Sequence, residues 1–438
     1  MDSFTVRLPD GCKCMQGITR NFSYHEPIEV EGSQKDFHED YITPINGVGD
    51  NGGPFEFVID SVRDQFLFLN NMNLYCRGEI VDSAGRITGA DADVAPINFA
   101  LSTMWESIEV RVNNTILNPA SSHNIPFKAI LEAMISVEEN QASWLMSSLF
   151  QPDDRMRSEV VNDTNGGHKR RKNYAAGGFE MNGPIPVDFL RVDNHLAPGN
   201  VLSLKFKQAP DSFVLNTESA EKYRLVVKEL GIYVRRIELF PEALSRVLSP
   251  TALQRYVGMD TEVKNFSLPA GIKQKVLKIS QGESLPKQVI VGFVPTVAYM
   301  GDYKHNPFHF AHFNLNSINI KVNGLRIPQE PLKPDFENKV IEKSLNHFFM
   351  NTGKFRAQGG NCIHADNYAR GASLFAWDLR CDQCNGFHRH AGRDGTLELE
   401  MGWAKNLEVP ITVIVYSARD QVVMIDPHRH SEVTTSSF

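Results

Sequence analysis

"SIEVRVNN" at Ser107–Asn114 and "SINIKVNG" at Ser317–Gly324 are near copies of one phrase in a chain of 438 residues. In the first, Ile108, Val110 and Val112 alternate with Glu109 and Arg111, the period of a strand with one buried face. Asn113-Asn114 then supplies a turn that tolerates positive φ. In the second, Ile318, Ile320 and Val322 alternate with Asn319 and Lys321 before the stronger hairpin turn Asn323-Gly324. A single short echo arises readily among β proteins, so the flanks decide its meaning.

The flanks repeat too. After the first copy, "NIPFKAILEAMISVEENQASWL" sets Phe127, Ile130, Leu131 and Met134 at helical spacing, with Pro126 suited to a first turn. After the second, "PDFENKVIEKSLNHFF" places Phe336, Val340, Ile341, Leu345 and Phe348 on one helical face. "DFLRVDNHLAPGNVLSLKF" (Asp188 to Phe206) is then answered by "WDLRCDQCNGFHRHAGRDGTLELEM" (Trp377 to Met401). Both run Leu-Arg-x-Asp, loop, Gly and alternating strand. Each half closes on a further strand, "RLVVKELGIYVRRIEL" and "VPITVIVYSARDQVVMI". Features recurring in one order predict a tandem duplication at the level of fold.

The expected organisation is an N-terminal arm over 1–50, a first domain over 51–240, a helical linker over 241–256, a second domain over 257–428 and a tail over 429–438. The arm ends in the turn-rich "NGVGDNGGP", and the linker lies in "FPEALSRVLSPTALQRY". Many short strands with a helix or two per half predict an all-β class, two tandem eight-stranded jelly rolls with helical insertions in loops. Immunoglobulin-type sandwiches seldom hold so long a helix between strands.

Composition fits a folded protein, with 42% hydrophobic and 22% charged residues. The net charge of −7 excludes a surface that is basic overall. No apolar run approaches the roughly 20 residues that cross a bilayer, and "MDSFTVRLPDGCKC" lacks the basic-then-apolar order of a secretory signal. Synthesis in the cytoplasm as a soluble product is therefore expected. The 6 cysteines are too sparse for a disulfide scaffold.

The chain resembles the double jelly-roll major capsid proteins of Polinton/Maverick elements and adintoviruses, distant relatives of the adenovirus hexon and virophage capsid proteins. The first half carries the likeness in "GPFEFVIDSVRDQFLFLNNMNLYCRGEIVDSAGRI" followed by "SIEVRVNN". The second carries it in "NPFHFAHFNLNSINIKVNG", "HADNYARGASLFAWDL" and "ITVIVYSARDQVVMIDPHR". The resemblance implies a structural protein without catalysis or cofactor. It would form a homotrimer whose six rolls make a pseudo-hexagonal capsomer, tiling an icosahedral shell around double-stranded DNA without reading its sequence. Implied partners are neighbouring capsomers, penton and minor capsid proteins, with the arm and the tail "SEVTTSSF" as bridging candidates. The implied location is the virion.

Against that stand the motifs able to carry chemistry. Cys381, Cys384, His388 and His390 in "CDQCNGFHRH" offer four zinc-competent ligands, though the spacing is too short for a typical finger and a strand-connecting loop is the plainer reading. "HFAH" (His309, His312) and "HRH" (His428 to His430) lack the acid spacing of a bicupin metal site, which removes the metal-enzyme alternative. Lys169, Arg170, Arg171 and Lys172 in "GGHKRRKN" form a basic run read as a loop, a candidate for nuclear import or contact with packaged DNA. "CKC" at Cys12 to Cys14 reads as free thiols in the arm, and Trp105, Trp144, Trp377 and Trp403 as core or interface anchors. No P-loop, nucleophile elbow or dinucleotide turn occurs. The fold class alone would also suit a tandem jelly-roll module binding a carbohydrate or another ligand.

Overall fold

The computed structural model describes residues 32–434 apart from 50–52, 61–63, 119–123, 138, 155–156, 249–252, 356–360 and 382–391. Among them no helix is long and apolar enough to cross a membrane. The first half contributes β1 (Gln34–Ile42), β2 (Phe55–Asp60), β3 (Asn73–Val81), β4 (Trp105–Val112), β5 (Thr115–Ile116), β6 (Phe179–Pro184), β7 (Val201–Gln208) and β8 (Arg224–Leu239). The second contributes β9 (Gln254–Leu268), β10 (Gln274–Ser284), β11 (Gln288–Pro295), β12 (Leu315–Val322), β13 (Leu325–Leu332), β14 (Phe375–Asp378), β15 (Asp394–Trp403) and β16 (Ile411–Ile425).

Hydrogen bonding orders these strands as β1-β8-β3-β6 and β2-β7-β4-β5 in the first half, and as β9-β16-β11-β14 and β10-β15-β12-β13 in the second. Adding eight to every label of the first two sheets generates the other two. The fold is a double jelly roll, and the duplication read from sequence extends to strand order.

The opening echo falls at equivalent places, β4 and β12. Ile108, Val110 and Val112 are buried, as are Ile318 and Ile320. Both turns have two left-handed residues, Asn113 and Asn114 at φ 49° and 72°, Asn323 and Gly324 at φ 50° and 82°. That twist matches the flanking strands and closes two-residue hairpins, pairing Val112 with Thr115 and Val322 with Leu325. A Cβ on Gly324 would meet nothing within 4 Å, so only backbone strain opposes a side chain there. Gly324→Ala should cost about 1 kcal/mol. Gly324→Asn, which copies the first turn, should stay within about 0.5 kcal/mol of the parent in the urea midpoint.

The helices also correspond. Ile125–Ser136 follows β5 and Glu342–Asn351 follows β13. Each roll buries an aromatic anchor: Trp105 meets Phe55 and Phe206 of its own sheet edge-on, and Trp403 meets Phe293 of the facing sheet. The Leu-Arg-x-Asp echo is looser. Arg191 ends a 3-10 turn, Asp188–Arg191, whereas Leu379 directly follows β14.

Three boundaries move. The stretch expected to be an arm holds β1, paired along β8 from Gln34 to Ile42, so the first roll begins before residue 51. Its sequence "QKDFHEDYI" is an almost wholly exposed edge strand and offers no apolar alternation to read. The linker helix spans Pro241–Val247, but β9 already begins at Gln254. The tail holds strand Ser431–Thr434, paired on β16.

Candidate functional site

The two rolls meet along a buried seam. In β11, residues Val289 to Val294 are buried without a break, and β16 is nearly so. Successive strand residues point to opposite faces, so the sheet β9-β16-β11-β14 is covered on both. Its inner face packs on the second roll's own core, with Phe293 against Trp403. Its outer face is covered by the first roll's helix Ile125–Ser136 and turn Asp188–Arg191. The Tyr416 hydroxyl donates to Glu132 Oε1 at 3.3 Å, the Thr261 amide to Asp188 Oδ2 at 2.9 Å, and Asn124 Nδ2 to the Val263 carbonyl at 2.9 Å.

A charge cluster lies at the centre of this seam. Lys128 Nζ is 2.8 Å from Glu132 Oε1 and 2.7 Å from Asp188 Oδ1, and Arg191 Nη1 is 2.7 Å from Glu132 Oε2. Burial alone would raise the Glu132 carboxyl, but the Lys128 and Arg191 cations overturn it and hold Glu132 below the usual range. Asp260 behaves oppositely: burial, reinforced by the Asp188 and Glu262 carboxylates, pushes it up to about 6.

A raised folded-state pKa means that between about pH 4 and 6 the folded chain holds a proton the unfolded chain has lost. Stability from this group therefore falls as pH rises through that window. Asp260→Asn should gain on the order of 1–3 kcal/mol at pH 7.5 and almost nothing at pH 4. Denaturation midpoints of both proteins across that range would show it, and a gain independent of pH would contradict it.

Among the described residues, nothing comparable covers the first roll's equivalent sheet. On β1-β8-β3-β6 the residues Leu230, Ile232 and Val234 face the core, while Glu229, Tyr233 and Arg235 point outward. Phe37 is 55% exposed, Tyr233 40% and Tyr41 39%. The Tyr41 hydroxyl donates to Glu229 and the Tyr75 hydroxyl to Glu180, each at 3.1 Å, and Arg235 lies 4.0 Å over the Phe37 ring. The Tyr41 ring occupies the space a Cβ on Gly231 would fill. Sequence reading passed over this face, although "GIYVRRIEL" alternates aromatic, charged and aliphatic positions.

The basic run occupies a helix, Gly166–Ala175, and not a loop. Asn165 caps it by accepting the Gly167 amide. Arg171 is 2% exposed: Nη2 is 2.8 Å from Asp153 Oδ1, Nε donates to the Pro96 carbonyl at 2.9 Å, and Nη1 to that of Gln151 at 2.7 Å. Lys172 Nζ pairs with Asp163 at 2.7 Å. Lys169 and Arg170 are the exposed members. His168 is buried, and burial, then the Arg171 cation, lower its pKa.

Of the zinc candidates, Cys381 is exposed, while Cys384, His388 and His390 lie outside the described residues, as do Cys12 and Cys14. Among the described residues no group of three His, Cys, Asp or Glu converges as a metal site. His309 Nδ1 is 2.7 Å from Ser158 Oγ, and His312 stacks on Phe336 at 4.1 Å. Trp105, Trp377 and Trp403 are buried, whereas Trp144 is exposed.

No protein-family model matches the chain. "Uncharacterized protein F54H12.2" of Caenorhabditis elegans is 23% identical over 337 residues, 70% of this chain and 78% of its own length. A chain in the Sputnik virophage structure is similar with a TM-score of 0.64 at 11% identity, over 100% of this chain and 94% of that one. The mavirus major capsid protein gives 0.53 at 10% identity, over 99% and 97%. The Faustovirus major capsid protein gives 0.56 at 9%, over 93% and 92%. The chain shares the double jelly-roll fold of these capsid chains along nearly its full length.

Proposed function

We propose that the chain is the major capsid protein of a virus or a viral-type mobile element, a structural protein with no catalytic step of its own. Three copies would assemble into a capsomer of six rolls. A three-fold object with two equivalent wedges per subunit presents nearly six-fold edges, so one gene product can fill hexavalent positions of an icosahedral shell. Double-stranded DNA would lie inside, held without sequence-specific contacts, and other capsomers, penton and minor capsid proteins would be the neighbours. Synthesis would take place in the host cytoplasm and the finished location would be the virion. Lys169 and Arg170 remain the candidates for nuclear import or contact with packaged DNA.

The observation that carries this proposal is the identity of strand order in two adjacent rolls of one chain. The fold it shares with whole capsid chains supports it. Light scattering on purified protein should give three times the mass of one chain, with hexagonal particles in negative stain. A stable monomer at micromolar concentration would overturn the proposal.

A further inference from the structure

A second junction between the rolls uses none of the residues of the ion cluster. There the loop 302–312 of the second roll meets the first. The Tyr303 carbonyl accepts the Thr217 amide at 2.8 Å, and the Tyr303 hydroxyl donates to the Tyr223 carbonyl at 2.8 Å. The His305 carbonyl accepts from Asn216 Nδ2 at 3.1 Å. Asn306 Nδ2 donates to Asp153 Oδ2 at 2.9 Å and to the Ser158 carbonyl at 2.8 Å, and His309 Nδ1 lies 2.7 Å from Ser158 Oγ.

His168 sits between the first-roll residues that hold this loop. It is fully buried on helix Gly166–Ala175. On one side its Nε2 is 3.5 Å from the carbonyl of Asn216, whose side chain holds the His305 carbonyl. On the other, Arg171 of the same helix binds Asp153, which also accepts from Asn306. The His168 Nδ1 atom is buried and has no hydrogen-bond partner among the described residues. With Nε2–H turned to the carbonyl, Nδ1 carries the lone pair. A proton added there would find no acceptor and would make a second buried cation near Arg171. The charged groups acting on the ring are Arg171 on its own helix, Asp153, and Asp93 just ahead of the strand Ala95–Pro96. Lys172 is paired with Asp163, and across the junction His309 lies 3.9 Å from Glu159 and His305 2.7 Å from Asp302. Burial, then the Arg171 cation, outweigh the Asn216 carbonyl and the two carboxylates, and hold His168 neutral below the ordinary histidine range.

We propose that this junction is an acid-released clasp, in which a proton on His168 frees the loop 302–312 from the first roll while the paired strands of both rolls persist. The clasp lies within a single chain and is independent of the capsomer proposed above. A proton binds more weakly to His168 in the closed state than in the open one, so closure is fully favoured above about pH 6.5 and weakens progressively below it. One such group can raise the open fraction at pH 5 by at most about thirtyfold.

Hydrogen exchange of the full chain, corrected for the intrinsic pH dependence of amide exchange, tests the clasp. Between pH 7 and pH 5 the Thr217 amide and peptides from 302–312 should exchange at least tenfold faster, while amides of β9 and β16 keep their protection. Equal protection of Thr217 at both pH values would overturn the proposal. So would a simultaneous loss throughout β9 and β16, which is global unfolding. In His168→Phe, whose ring is neutral at every pH, the acceleration should disappear; if it persists, another group senses the proton and the proposal fails. The titration of His168 in the parent, read from exchange of its ring Cε1 hydrogen, depends on no variant. A pKa below about 6.5 is expected, and a value at or above it would overturn the clasp.

Discussion

Arg171→Ala is expected to destabilise the folded chain by about 3–5 kcal/mol, while Arg170→Ala, one residue away, changes it by less than about 0.5 kcal/mol. The contrast follows from burial. Arg171 holds Asp153 and two backbone carbonyls out of contact with water. Asp153 in turn accepts from Asn165 Nδ2 at 3.0 Å and from Asn306 Nδ2 at 2.9 Å, so one guanidinium ties the helix to a loop of the second roll. Removing it leaves a buried carboxylate short of its cation and two carbonyls short of donors, the costly way to break an ion pair. Arg170 donates to the Gln151 side chain at 3.1 Å and the Pro152 carbonyl at 2.9 Å from an exposed position, where water replaces the protein partner. Unfolding midpoints of the two variants decide it. Equal small losses would mean that the run is a solvated patch after all.

Lys128→Met should be comparably severe near neutral pH, about 3–5 kcal/mol, and should recover in acid. The methionine fills the volume but leaves Glu132 and Asp188 facing each other without the ammonium that bridges them. In the parent, Glu132 is held below its ordinary range, so its contribution is present above the unfolded-state pKa and disappears as pH falls through the folded one. Without Lys128, burial dominates and that carboxyl takes up a proton more readily. The gap between variant and parent should therefore be widest at pH 7 and narrow below about pH 5. A gap unchanged down to pH 4 would show that packing of the lysine stem, not charge, was lost.

How far the sequence discloses this molecule depends on the range of each interaction. The hairpins at Asn113-Asn114 and Asn323-Gly324 were legible because both the alternation and the turn chemistry are local. The duplication was legible because helices and strands recur in order around them. The helix Gly166–Ala175 was not: its buried positions His168, Arg171, Lys172 and Ala175 follow helical spacing but are mostly polar, so a search for apolar periodicity returns a loop. Asn165, an N-cap, was the available signal. β1 was missed because an exposed edge strand needs no apolar face. The seam could not be read at all, since Lys128, Asp188 and Asp260 converge from three separate elements, and only the packing of one roll on the other brings them together.

The connection 240–253, with its short helix Pro241–Val247, gives the seam one more property. A short tether keeps the two rolls at an effective concentration in the millimolar range or higher. The seam thus forms at any dilution of the protein, and an ion cluster that would be a weak basis for association between separate molecules is tolerated there. In the capsomer proposed above, a contact between copies would have no such tether and would have to be recruited from solution. Half of the roll-to-roll contacts of a six-roll ring would then be settled when each chain folds. The amount of protein accumulated would govern only the other half, so the supply of folded chain would act as the trigger for assembly.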